Sequence, residues 1–159
     1  MAKFIRSVLL AAAVLALGGC ARAVDVFGEP GAGYVADAAA LTASADWSNA
    51  ETVTVSLSEF AFTPASLTFR TGVPYRVVFQ NTGGQTHVFV SGGFFKAIAA
   101  HSLRSAGGEV ANPYLVTIAV APGTTKELLF IAVNPGVYDL VCTLFLHQTA
   151  GMTGSISIL

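Results

Sequence analysis

Residues 135–159 read PGVYDLVCTLFLHQTAGMTGSISIL. Tyr138, Leu140 and Cys142 share parity in a run of alternating apolar residues, so the spacing predicts a strand that delivers Cys142 to an interior face. A second strand leaves Met152 and runs to Leu159. Cys142, His147 and Met152, spaced Cys-x4-His-x4-Met, therefore fall on one loop between two strands. A thiol, an imidazole and a thioether on one loop make a soft, mixed donor set. That set suits copper moving between its two oxidation states.

Outward from this stretch the period of two continues. Val53, Val55 and Leu57 alternate with Thr and Ser, and Phe60/Phe62 and Leu67/Phe69 follow on either side of Thr63-Pro64. Tyr75, Val77 and Phe79 form the next strand, closed by a turn at 81–85, and His87 opens another that runs to Val90. Further strands are predicted at 114–120, 126–133, 137–142 and 154–159, with turns at Pro122-Gly123 and Asn134-Pro135-Gly136. Many short strands at this spacing predict an all-β antiparallel sandwich or barrel. One short helix is expected inside it, over FFKAIAAHSLR at 94–104, which carries His101. Residues 52–159 make one core of ordinary domain size.

A fourth donor has to come from outside the 135–159 stretch. His87 stands at the start of a strand just after the 81–86 turn, and in a two-sheet sandwich such a strand start can face the Cys-His-Met loop. His87, Cys142 and His147 would then form a trigonal set, with Met152 as a long axial ligand. Gly83 and Gly84 are expected to keep the surface there flat, and Asn81 to tie the two ligand loops together through backbone hydrogen bonds. Glu59, Asp139 and the other charges read as solvated strand or loop positions.

These pieces together resemble the cupredoxin family, the plastocyanin and azurin type of blue copper protein. The matching segments are Glu59-Phe-Ala-Phe-Thr-Pro64, Gly72, and Asn81 followed by His87, then Pro135-Gly-Val-Tyr138-x3-Cys142-x4-His147-x4-Met152-x-Gly154. The resemblance covers nearly all of 52–159. It implies a Greek-key β-sandwich with a single type 1 copper ion held by His87, Cys142, His147 and Met152, cycling between Cu(I) and Cu(II) and carrying one electron at a time. Two positions depart from the family: Thr143–Leu146 stands where a Pro or Gly is usual, and Thr86 stands where azurins carry Gly, so no fifth ligand is expected. The resemblance also implies docking of a redox protein, such as a cytochrome or oxidase, on an apolar patch through which the edge of the second histidine ring protrudes. Leu144, Phe145 and Leu146 would form that patch, and the chain would act as a monomer. The alternative from another class is a non-redox copper chaperone or sequestering lipoprotein using the same ligands.

The front of the chain explains much of the mean hydropathy of +0.66. Lys3 and Arg6 precede the apolar run SVLLAAAVLAL at 7–17. That is the length of a signal-peptide core and short of the ~20 residues a spanning helix needs. Leu17-Gly18-Gly19-Cys20 resembles the lipobox of bacterial lipoproteins. The resemblance implies a signal peptide over 1–19, lipidation of Cys20 and an extracytoplasmic protein held at the periplasmic face of a membrane, the outer one being favoured by Ala21. Residues 20–51, rich in Ala, Gly, Ser and Asp, read as a lipid-anchored tether, with a short helix near 35–44 and Trp47 docking on the domain. With Cys20 lipidated, Cys142 is a lone thiol in an oxidising setting, which favours metal ligation over idleness.

Composition excludes several classes. Eight Lys and Arg against nine Asp and Glu leave a formal charge of -1, too little basic field for nucleic acid. Catalysis is also read as excluded: four protein ligands leave no open position for substrate. The chain has three His in all, without the His-x-His pairs of a multicopper oxidase or the second Cys beside Cys142 of a dinuclear centre.

Overall fold

The computed structural model describes residues 24–159. The signal segment, Cys20 and the start of the tether lie outside the described residues. Two six-stranded sheets face each other. The first contains β1 (Val26–Phe27), β4 (Ser66–Phe69), β6 (His87–Val90), β9 (Leu115–Val120), β11 (Gly136–Val141) and β12 (Thr153–Ile158), in the order β1-β9-β6-β11-β12-β4. The second contains β2 (Glu51–Ser58), β3 (Ala61–Thr63), β5 (Pro74–Asn81), β7 (Ile98–Ser105), β8 (Gly108–Ala111) and β10 (Thr125–Ala132), in the order β3-β2-β5-β10-β7-β8. This is the β-sandwich expected from the alternating pattern, with every sequence-predicted strand present.

Alternation fills the space between the sheets. Along β5 the side chains of Tyr75, Val77 and Phe79 are buried, and along β2 those of Val55 and Leu57. Phe89 of the first sheet meets Phe79 of the second with ring centroids 4.8 Å apart. Phe69, from the first sheet, packs edge-on against Phe130 of the second at 5.1 Å. Such aromatic pairs add about 1 kcal/mol each beyond the area they bury.

The strands are not all antiparallel, as the sequence had suggested. β2 pairs with β5 in parallel, and β4 with β12 in parallel. The cause is a crossover. After the β2–β3 hairpin the chain leaves the second sheet to form β4 in the first, then returns as β5 along the free side of β2. A return by this route brings β5 in with the same direction as β2.

The inserted helix is shorter than predicted. Only Gly92–Lys96 is helical (α2); from Ile98 the chain is β7, between β10 and β8, and His101 lies on that strand. The Ala-rich run has helical propensity, but pairing with β10 on one side and β8 on the other overrides it. Both faces of β7 are largely buried, so it lacks the polar alternation that marks a half-exposed strand.

The stretch read as a tether lies on the sandwich from Val24 onward. β1 adds to the edge of β9, and the Asp25 carboxylate accepts a hydrogen bond from the Ala119 N–H at 2.8 Å and pairs with Lys126. The short helix, α1 (Ala38–Ala43), packs on β7 within the span expected for it. Trp47 does dock: its indole stacks on the His101 ring, centroids 4.5 Å apart and nearly parallel. Among the described residues no helix is long and apolar enough to cross a membrane.

Candidate metal centre

Neighbouring strands bring the candidate ligands together. β6 runs antiparallel to β11 with Val90 opposite Val141, so the chain that leaves β11 at Cys142 runs on alongside β6 toward its start at His87. One ligand atom from each of His87, Cys142 and His147 lies within 4.8 Å of the other two, and all three residues are buried. The His147 Nδ1 is 3.7 Å from Cys142 Sγ, and the two imidazole rings are 5.0 Å apart. Val88, next to His87, donates its N–H to Cys142 Sγ at 3.5 Å. That bond is the direct tie between the two ligand-bearing segments.

Residues 142–152 close on themselves. Cys142 N–H binds the Met152 carbonyl at 3.1 Å, and Met152 N–H binds the His147 carbonyl at 2.9 Å. His147 N–H binds the Leu144 carbonyl at 3.0 Å. Leu146 has φ 64°, a left-handed conformation that costs a bulky residue about 1–2 kcal/mol. Met152 is buried at the end of this loop. The loop holds its shape through backbone hydrogen bonds, without the Pro or Gly usual between the two ligands.

The donor set fits a copper ion. Both ring nitrogens of His87 are buried without a close hydrogen bond; Nε2 has the Glu59 carboxylate 3.4 Å away, and Nδ1 has no polar partner. A buried polar group left so costs about 1–3 kcal/mol, and a metal bond at one nitrogen removes part of that cost. Burial holds the His87 imidazole below its usual pKa; Glu59 pulls against this and His147 adds to it. Unfolded, the same imidazole takes a proton near pH ~6.5, where the folded ring still resists it. The contribution of His87 to the stability of the metal-free chain is therefore fully present above about pH 6.5 and is lost as pH falls through the folded-state value. Urea midpoints at about pH 7.5 and 5.5 check this: the lower pH should give the lower midpoint.

Three expectations change. Asn81 does not bridge the two ligand loops. Its side-chain amide donates to the Gln85 and Val120 carbonyls, both at 2.7 Å, and its Oδ1 accepts from Gly83 N–H at 2.9 Å. It shapes the 81–86 turn and ties it to β9. The His147 ring does not protrude, since the residue is 2% exposed. Of the apolar run, Phe145 is 84% and Leu146 59% exposed, while Leu144 packs against the core.

Glu59 is solvent-exposed, as the sequence suggested, but it has partners that the sequence did not reveal. Its Oε1 accepts the N–H groups of Gly84 and Gln85, each at 2.9 Å, and lies 3.4 Å from His87 Nε2. Its own backbone N–H, with those of Gln85 and Gly84, holds its carboxyl below the usual range. Phe60, the next residue, sets its ring edge-on to His147 at 4.9 Å. The only signal in the sequence was the 59–64 hexapeptide itself, and it does not say what those side chains touch.

Comparison with known proteins adds the family. The family described as multicopper oxidase matches residues 36–158. Laccase-6 of Arabidopsis thaliana is 31% identical over 103 residues, 55% of this chain and 17% of the laccase. The chain thus spans under a fifth of that relative's length. A multicopper oxidase from Pseudomonas thermotolerans superposes with a TM-score of 0.57 at 22% identity, covering 72% of this chain and 31% of that one. The multicopper oxidase of the hyperthermophile Aquifex aeolicus does so at 0.57 and 16%, covering 72% and 30%. At these identities the structures show the fold. The family match and the laccase overturn the exclusion of catalysis drawn from the sequence. Counting histidines tests only the ligands that one domain holds, and relatives of this domain are enzymes.

Proposed function

The chain belongs to the multicopper oxidase family, as a cupredoxin-like copper domain, and on that premise we propose that it holds one type 1 copper ion and passes single electrons. The observation that carries the reading is the buried convergence of His87, Cys142 and His147, with Nδ1 of His87 buried and without a partner. His87, Cys142 and His147 would hold the ion, with the buried thioether of Met152 as a weaker fourth donor. Copper in such a set supplies one-electron chemistry between Cu(I) and Cu(II). The packed sheets hold the ligands still, so the protein rearranges little when the charge changes. Val88 N–H on Cys142 Sγ keeps that sulfur aimed. Phe145 and Leu146 offer an exposed apolar surface beside His147 for a redox partner, as apolar patches do.

Redox titration of the copper-loaded chain tests the reading. A strongly coloured oxidised form that bleaches and recovers with one electron per copper supports it. A colourless protein that binds only cuprous ion overturns it in favour of copper storage or delivery. Attachment through a lipid on Cys20, facing the periplasm, belongs to the same proposal. It predicts that the chain partitions into detergent and that Cys20→Ala does not.

A further inference from the structure

Two consecutive residues, Glu59 and Phe60, touch two different histidines of the centre from the connection between β2 and β3. Glu59 Oε1 lies 3.4 Å from His87 Nε2, and Phe60 stands edge-on to the ring of His147 at 4.9 Å. Neither residue is a candidate ligand, and β2 and β3 belong to the sheet that carries none of the three buried donors. We propose that this connection is the cap of the metal centre: Glu59 sets the tautomer of His87, and Phe60 shields His147 from water.

Donor and acceptor roles assign Glu59 its part. A neutral imidazole carries one proton, and an ionised carboxylate only accepts. With Glu59 beside Nε2, the proton of His87 belongs on Nε2, and Nδ1 keeps the bare lone pair that a metal takes. Metal-binding histidines are commonly oriented in this way by a carboxylate at the other nitrogen. Glu59 is itself held in place, because the Gly84 and Gln85 N–H groups both donate to the same oxygen. Gly83 leaves the room: a Cβ there would collide with the Glu59 carboxylate. The turn that leads into His87 and the carboxylate that orients it are thus one unit.

Exposure assigns Phe60 its part. His147 sits in a loop whose neighbours Phe145 and Leu146 are open to solvent, yet it is itself 2% exposed. Phe60 is 45% exposed with its ring against the imidazole, so it stands between the two. A partner docking at this end meets Phe60 before it meets His147.

The inference rests on the proposed copper site, but its tests need no copper. In the metal-free full chain at neutral pH, nitrogen-15 NMR of the imidazoles should find His87 as the Nε2–H tautomer. Glu59→Ala should shift it toward Nδ1–H, and Glu59→Gln, which keeps an acceptor oxygen, should restore Nε2–H. An unchanged tautomer in Glu59→Ala overturns the role of Glu59. Acylation by diethyl pyrocarbonate, located by peptide mass spectrometry, should spare His147 in the wild type and in Phe60→Tyr and mark it in Phe60→Ala. Equal protection in all three overturns the shield, with far-UV circular dichroism confirming that each variant is folded. Failure of the copper reading would show instead as a wild type with no visible band, whatever these two measurements give.

Discussion

Cys142→Ser should leave the copper-loaded chain without its intense visible absorption. That band, near about 600 nm in centres of this type, comes from the bond between copper and a thiolate, and Cys142 is the one sulfur that can supply a thiolate within the cluster of His87, Cys142 and His147. Serine is close to cysteine in size, and its hydroxyl can still accept the Val88 N–H that now reaches Sγ at 3.5 Å. The backbone bonds of the loop, from Cys142 N–H to Met152 and from Met152 N–H to His147, do not involve the side chain at all. The loss is therefore one of donor chemistry with the fold intact. The check is an absorption spectrum beside a far-UV circular dichroism spectrum for each protein. A folded Cys142→Ser that keeps the band would mean that the colour arises elsewhere.

Gly154→Ala should destabilise the domain by about 1–3 kcal/mol, the usual cost of forcing extra atoms into a packed interior. Gly154 lies on β12 opposite Leu140 of β11, two residues after Met152. A Cβ built there collides with the backbone carbonyl oxygen of Ala65 and approaches Leu140 Cδ2 to 3.2 Å. The obstructing oxygen belongs to the backbone, so no side-chain rotation relieves the clash. The same oxygen accepts the Ser155 N–H at 2.9 Å, a bond that fastens β12 to the segment before β4. Moving β12 away weakens that bond and drags on the loop that carries His147 and Met152. Urea unfolding of the metal-free variant should show a lower midpoint. A midpoint equal to wild type would mean that β12 shifts freely, and that the tight fit at Gly154 contributes nothing.

The two halves of the centre differed in how far they could be read in advance. Cys142, His147 and Met152 share one loop between two strands, so their proximity follows from chain connectivity. His87 could be nominated by its place at a strand start, but its nearness to Cys142 depends on β6 lying beside β11, and those strands are 51 residues apart in their register pair, Val90 to Val141. Glu59 was read as a solvated charge, because a carboxylate flanked by Ser58 and Phe60 has no local partner. Its partners are Gly84, Gln85 and His87, all brought up by the parallel pairing of β2 with β5. The exclusion of catalysis was the clearest misreading: it was judged from the ligands present in one domain, whereas relatives of that domain are oxidases.

The alternation of apolar and polar residues, the turn residues and the Cys-x4-His-x4-Met loop determined by themselves that this chain would fold as a β-sandwich with a soft donor set at one end. Those features act over a few residues, and a strand's period or a loop's length needs no distant partner to be read. Only the tertiary structure decided that the 98–105 run is a strand, that Asn81 serves the turn and β9, that His147 is covered, and that Glu59 and Phe60 reach the two histidines. Each of these depends on which strands become neighbours and in which direction. That choice is made by burial and hydrogen bonding summed over the whole sandwich, and no short stretch of sequence contains the sum.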